Sequence, residues 1–254
     1  MAQPPYFFSP FEIDSRLPLL IFLPGMDETG KELMTLQTAS FKGVFDVRCL
    51  VIPKDALESW DALSQQTIAL TRAELGQPRQ VYLCGESFGG CIALDLLKFA
   101  PELFDRIVLV NPASSFHRQP LLNFGSRLLV WTPQFIYNLL ARLTLPFLAR
   151  IARLSPPARA ALSQATRAAP KHTAEQRLQL LREFRIDRSK LQQFTQLVLL
   201  IGSRKDRILP SVAEVKRLAQ IFPNAQIFTL PESGHACLVE TDLNVTAILQ
   251  AHGL

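Results

Sequence analysis

Residues 85–89 read Gly-Glu-Ser-Phe-Gly, a serine with a glycine two positions away on either side. This spacing is that of a tight strand-to-helix turn that presents a hydroxyl for nucleophilic attack. The glycines have a steric reason. Such a turn strains the serine backbone, and side chains two positions away would collide. The run "VYLCG" ahead of Ser87 has strand character, and "CIALDLL" behind it reads as helix. A helix beginning at Phe88 would aim its unpaired N–H groups at an anion developing beside Ser87. Gly90 would let that helix approach the sheet closely. A bare motif of this kind also suits a glycine-rich packing turn, so a nucleophile needs a base, an acid and oxyanion donors elsewhere in the chain.

The histidines are His117, His172, His235 and His252. His235, in "PESGHACLVE", closely follows the last strand-like run and precedes a helical segment, which is where a base serving Ser87 should stand. His117 and His172 fall in a long middle segment, and His252 lies near residue 254. The orienting acid is expected in "LVLLIGSRKDRILP", where Asp206 follows Gly202 by four residues. A buried Asp there would hold one imidazole tautomer and stabilise the imidazolium. Its alternative reading is a solvated turn residue between Lys205 and Arg207. Asp187 is the next candidate acid, with no strand before it. For the oxyanion, the backbone N–H groups of Phe88 and of Met26, in "FLPGMDETG", are the expected donors. Asp27 and Glu28 read as structural, because Thr29-x-x-Glu32 resembles a capping box with Asp27 at the same helix start. Glu86 is expected only to support the turn. Cys91 and Cys237 are expected near the site without acting in it. Neither a metal nor a cofactor is expected, since Cys49, Cys84, Cys91 and Cys237 follow no ligand spacing.

These residues need a sheet to converge. Six apolar runs of strand length, "LPLLIFL", "FDVRCLVI", "QVYLCG", "DRIVLV", "QLVLLIG" and "AQIFTL", predict strands buried on both faces. Helical periodicity falls between them, over Leu57, Trp60, Leu63, Thr67, Ile68, Thr71 and Leu75, and over Val212, Val215, Leu218 and Phe222. Strands alternating with helices predict an α/β fold with a doubly wound, mostly parallel sheet. The alternation stops once. Residues 113–195 contain helical pieces separated by Pro120, Pro133, Pro146, Pro156-Pro157 and Pro170, and predict an inserted helical cap on a core of residues 1–112 and 196–254.

The chain has 254 residues and a formal charge of +5, with 48% apolar and 19% charged residues. Disorder is excluded by that balance. The charge is unevenly placed: residues 113–196 hold thirteen of the 27 basic residues but only three of the 22 acidic ones. No nucleic-acid motif accompanies them, so an anionic lipid surface or an acidic head group is the expected partner. Within the cap, Trp131, Phe135, Tyr137 and Phe147 belong to a dense apolar set that either packs on the core or presents a face to an acyl chain; they are the candidate substrate-binding residues. Arg127, Arg142, Arg150, Arg153 and Arg159 would flank that surface. The longest uncharged stretch there, residues 128–141, is too short to cross a bilayer. The N-terminus lacks the basic and apolar regions of a secretory signal, and strand-like runs hold Cys49 and Cys84, so the expected location is the cytoplasm, with peripheral contact at the cytoplasmic face of a membrane.

With these residues in view, the chain resembles the α/β-hydrolase superfamily over essentially its whole length. "FLPGMDETG", "GESFGGCIAL" and "NPASSF" further resemble the esterase/lipase-like domain of the plastid phytyl ester synthase family and its cyanobacterial relatives. The resemblance implies an α/β-hydrolase fold and a triad of Ser87, Asp206 and His235. That family joins a following acyltransferase domain to its hydrolase-like one and makes fatty acyl esters. Here the chain ends at Leu254, so no acyltransferase domain is expected, and Glu28 replaces a usual glycine. The expected activity is hydrolysis of acyl esters or thioesters, lipid-derived, through an acyl-enzyme on Ser87. The alternatives are acyl transfer to an alcohol, C–C bond cleavage with the same triad, and non-catalytic lipid binding.

Overall fold

The computed structural model of the chain describes residues 3–26, 30–54 and 59–253. Seven strands form one sheet: β1 (Tyr6–Phe8), β2 (Leu19–Leu23), β3 (Asp46–Val51), β4 (Val81–Glu86), β5 (Arg106–Val110), β6 (Leu197–Ser203) and β7 (Ala225–Leu230). Their spatial order is β1-β3-β2-β4-β5-β6-β7. β1 pairs antiparallel with β3, and every other pair is parallel.

Both faces of the sheet are covered, which explains the apolar runs. Along β2, Leu19, Ile21 and Leu23 enter one core, and Leu20 and Phe22 enter the other. The expectation of burial on both faces fails for β7. It is an edge strand with one neighbour, most of its residues are only partly buried, and Ile227 is 39% exposed. The six predicted runs become β2 to β7. β1 was not among them, because three residues between prolines carry no period long enough to read.

The helices outside the cap are α1 (Lys31–Gln37), α2 (Trp60–Ala73), α3 (Phe88–Phe99), α10 (Ser211–Ala219) and α11 (Val245–Ala251). α2 buries Trp60, Leu63, Thr67, Ile68 and Thr71, as its period predicts; Leu57 lies outside the described residues and Leu75 beyond the helix end. α1 begins at Lys31 with Gly30, not Thr29, at its N-cap. Asp27, Glu28 and Thr29 lie outside the described residues.

Between β5 and β6 the described chain forms α4 (Pro120–Leu128), α5 (Gln134–Leu143), α6 (Leu145–Leu148), α7 (Pro156–Ala168), α8 (Lys171–Glu183) and α9 (Arg188–Gln193). This segment is anchored unevenly. Leu180, Leu181 and Phe184 of α8 join the main core. Trp60 donates from Nε1 to the Leu180 carbonyl at 2.9 Å and lies 4.8 Å from the Phe88 ring. By contrast, α5 and α6 bury no residue fully.

Candidate active site

The chain leaves β2 toward β3 on one side and returns to place β4 on the other, so the connections diverge between β2 and β4. Open parallel sheets form their ligand crevice at such a point, beyond the strand carboxyl ends. Ser87 follows β4 directly, and Met26 follows β2. Asp206 and His235 lie in the loops after β6 and β7, so all four residues gather at the carboxyl ends of the parallel strands.

Ser87 has φ 52° and ψ −110°, a left-handed conformation that few non-glycine residues adopt. The turn is held by the Ser87 N–H donating to the Val110 carbonyl at 3.0 Å. A Cβ on Gly85 would come within 2.6 Å of the Gly89 carbonyl oxygen, and one on Gly89 would run into the Leu23 carbonyl. One on Gly90 would meet Pro112 at 2.8 Å, so that glycine admits the segment after β5. The motif's glycines are therefore demanded by backbone crowding.

His235 is 6% exposed, with Nε2 2.9 Å from Ser87 Oγ and Nδ1 2.7 Å from Asp206 Oδ2. Asp206 is no solvated turn residue. Its Oδ1 accepts the Ile208 and Leu209 N–H groups at 2.8 and 2.9 Å, and its Oδ2 also accepts the Ser211 hydroxyl. Burial pushes the Asp206 carboxyl up, but the His235 charge and the hydrogen bonds from His235, Ser211 and Leu209 outweigh it and hold the group below the usual carboxylate range. Asp187 stands apart from this set and caps α9, accepting the Lys190 N–H at 3.2 Å. His252 lies against Phe228 at 5.6 Å, and His117 and His172 stay in the cap.

Phe88 is the first residue of α3, where N–H groups lack intrahelical acceptors, and Met26 lines the same cavity as Ser87. Glu86 is 1% exposed and accepts the Gln37 side-chain amide at 2.8 Å, tying α1 to the turn. Cys91 and Cys237 are fully buried, and burial raises both thiols far above their ordinary range, leaving neither reactive.

The cavity over Ser87 measures about 120 Å³. Its wall includes Phe116, Leu148, Leu162, Leu178, Leu181 and Ile208, with Ser87 and His235 as polar groups. The four expected substrate-binding residues are not part of it. Trp131, Phe135 and Phe147 are 84%, 73% and 54% exposed, and Tyr137 is half-buried with its hydroxyl donating to the Ala169 carbonyl at 2.9 Å. Apolar density in the sequence located the greasiest part of the cap, which gives the wall only Leu148 of α6, whereas the sparser helices α7 and α8 give it Leu162, Leu178 and Leu181.

Two further residues escaped the sequence reading. Asn111, at φ 45°, donates from Nδ2 to the His235 carbonyl at 2.6 Å and accepts the Ser203 N–H at 2.8 Å. It joins the end of β6, ahead of Asp206, to the loop that carries His235. Arg177 of α8 is 2% exposed and donates to the Met26 carbonyl and, at 3.2 Å, to the Ile52 carbonyl. An arginine in a helix of mixed polarity gives no sequence sign of such a partner, but the placement of Asn111 immediately after β5, in "NPASSF", does.

A model of the alpha/beta hydrolase family matches residues 20–247. Phytyl ester synthase 1, chloroplastic, of Arabidopsis thaliana is 30% identical over 277 residues, covering 98% of this chain. The chain spans 39% of that relative's length. Among solved structures, the esterase EaEST from Exiguobacterium antarcticum superposes with a TM-score of 0.76 at 17% identity, over 98% of this chain and 94% of that one. MenH from S. aureus gives 0.75 at 14% identity, over 98% and 99%. At such identities the structural likeness is one of fold.

Proposed function

We propose that this chain, which belongs to the alpha/beta hydrolase family, is a serine hydrolase that cleaves acyl esters or thioesters with an apolar acyl group. The observation that carries this reading is the line from Asp206 Oδ2 through His235 to Ser87 Oγ, at 2.7 and 2.9 Å, opening into an apolar cavity.

His235 Nε2 takes the Ser87 hydroxyl proton as Oγ bonds to the carbonyl carbon. The carbonyl oxygen becomes an oxyanion facing the N–H groups of Met26 and Phe88. When the tetrahedral species collapses, the carbon–oxygen or carbon–sulfur bond to the leaving group breaks, and His235 returns the proton to the departing alcohol or thiol. Water then gives His235 a proton as it attacks the acyl-enzyme, and collapse of the second tetrahedral species breaks the carbon–Oγ bond and releases the acid while His235 returns that proton to Ser87 Oγ. Asp206 stays ionised throughout and stabilises the imidazolium.

The likeness to a phytyl ester synthase favours a second outcome at the same intermediate. An alcohol, replacing water as acceptor, would yield a new ester by the same proton transfers. A fluorophosphonate probe tests the first step: Ser87 is expected to be labelled in the folded protein and Ser87→Ala to remain unlabelled. Folded protein that resists the probe and leaves every p-nitrophenyl ester intact would overturn the proposal. Adding a long-chain alcohol during turnover separates transfer from hydrolysis by whether a new ester accumulates.

A further inference from the structure

The exposed apolar side chains of the cap lie outside the catalytic cavity and form ordered stripes. Leu121, Phe124 and Leu128 of α4 are 87%, 65% and 49% exposed, and Phe135, Leu139 and Leu143 of α5 are 73%, 54% and 56% exposed. Spacings of three and four residues put each trio on one face of its helix. Trp131, between the two helices, is 84% exposed. Isolated apolar residues are common on protein surfaces, but stripes of this kind mark an interaction face.

The sequence that carries these stripes is charged with one sign up to the start of α8, where Lys171 pairs with Glu175 at 2.9 Å. Residues 113–174 include seven arginines and one lysine, with no aspartate or glutamate. Arg153 is committed to the fold, pairing with buried Glu240 at 3.0 Å. Arg127 and Arg142, in the last turns of α4 and α5, are exposed and make no ion pair among the described residues. On α7, Arg159, Ser163 and Arg167 stand at four-residue steps along an open groove that Leu145 and Leu154 also line, and no acidic residue lines it.

We infer that this face docks onto an anionic lipid bilayer, with the α4 and α5 stripes and Trp131 entering the headgroup boundary and the α7 guanidiniums taking lipid phosphates. A lipid surface answers both features at once, offering an apolar boundary for an exposed tryptophan and phosphate oxygens for arginine. A second copy of the chain would bring like charges together with no acid in the segment to pair them. Among the described residues no helix is long and apolar enough to cross a membrane, so the contact is interfacial. The face abuts the cavity at α6, where Leu148 lines the wall and neighbouring Phe147 is 54% exposed. The inference goes beyond the hydrolase reading and does not depend on it.

Co-sedimentation with phosphatidylcholine vesicles, with and without phosphatidylglycerol, tests it. The protein is expected to bind the anionic vesicles, with affinity falling as salt rises. Trp131→Ala with Phe135→Ala is expected to weaken partition roughly tenfold or more. Arg159→Gln and Arg167→Gln are each expected to weaken it about fivefold and only on anionic vesicles. Ser87→Ala should bind as the parent does, and turnover of a soluble short-chain ester should be the same in the cap variants as in the parent, which separates docking from catalysis. Equal binding by parent and cap variants, binding indifferent to phosphatidylglycerol, or no binding would overturn the inference. So would a parent dimer by light scattering that becomes monomeric in the Trp131 and Phe135 variant, because the face would then join two copies.

Discussion

The Arg177 guanidinium, carried by a cap helix and buried, donates to the carbonyl of Met26, 151 residues earlier in the chain. In the proposed mechanism Met26 offers the oxyanion donor that does not belong to the serine turn, so the cap would reach through Arg177 to half of the anion site. Arg177→Met is expected to lower kcat about tenfold to a hundredfold with KM little changed, as loss of an ordered oxyanion donor does. Arg177→Lys should recover part of kcat. Equal losses in kcat and in thermal stability, with no recovery by lysine, would reduce Arg177 to a packing residue.

Asp206→Asn keeps the side-chain shape but loses the charge facing His235 Nδ1. The expected result is a kcat lowered roughly ten-thousandfold, with fluorophosphonate labelling slowed in proportion. Stopped-flow labelling of Ser87 measures this directly.

The depressed Asp206 pKa makes stability depend on pH in a definite direction. A carboxylate that is more acidic in the folded state contributes stability that is fully present above its unfolded pKa, about 4. That contribution is lost as pH falls through the lower folded value. Denaturant titrations at descending pH should therefore show a shallower loss for Asp206→Asn than for the parent chain below about pH 4.

Gly89→Ala drives a methyl group into the Leu23 carbonyl, where backbone meets backbone and nothing can swing aside. A destabilisation of about 3 kcal/mol is expected from chemical denaturation. A neutral result would mean that α3 and β2 are packed less closely than described.

Ala165 lines the cavity from α7 and is 5% exposed. Ala165→Leu is expected to fill the space and depress kcat/KM for long p-nitrophenyl esters far more than for the acetate. Trp131→Ala should leave the whole chain-length profile unchanged, since Trp131 lies outside the wall.

Much of this molecule is legible in its sequence because the governing constraints are local. Ser87 is marked by glycines that backbone crowding requires, and β2 to β6 by continuous apolarity that burial on two faces requires. Asp206 and His235 are readable because each closely follows a strand-like apolar run. Tertiary relationships leave weaker marks. β1 is too short to show a period, β7 is apolar yet lies at an edge, and the cavity wall draws on α7 and α8 one side chain at a time. Trp131, Phe135 and Phe147 lie outside the cavity wall for a physical reason: apolar density in a sequence marks side chains that disfavour water without saying which surface, if any, covers them.

The hydrogen bond between His235 and Ser87 spans 148 residues. During synthesis, then, the residues of the turn after β4 emerge long before His235, and in the proposed mechanism Ser87 has no base through that interval. Only when β7 takes its place at the far edge does the loop beyond it deliver the imidazole. On the proposed mechanism the nascent chain is thereby inert toward esters, and reactivity reports that the loop after the last strand has been placed.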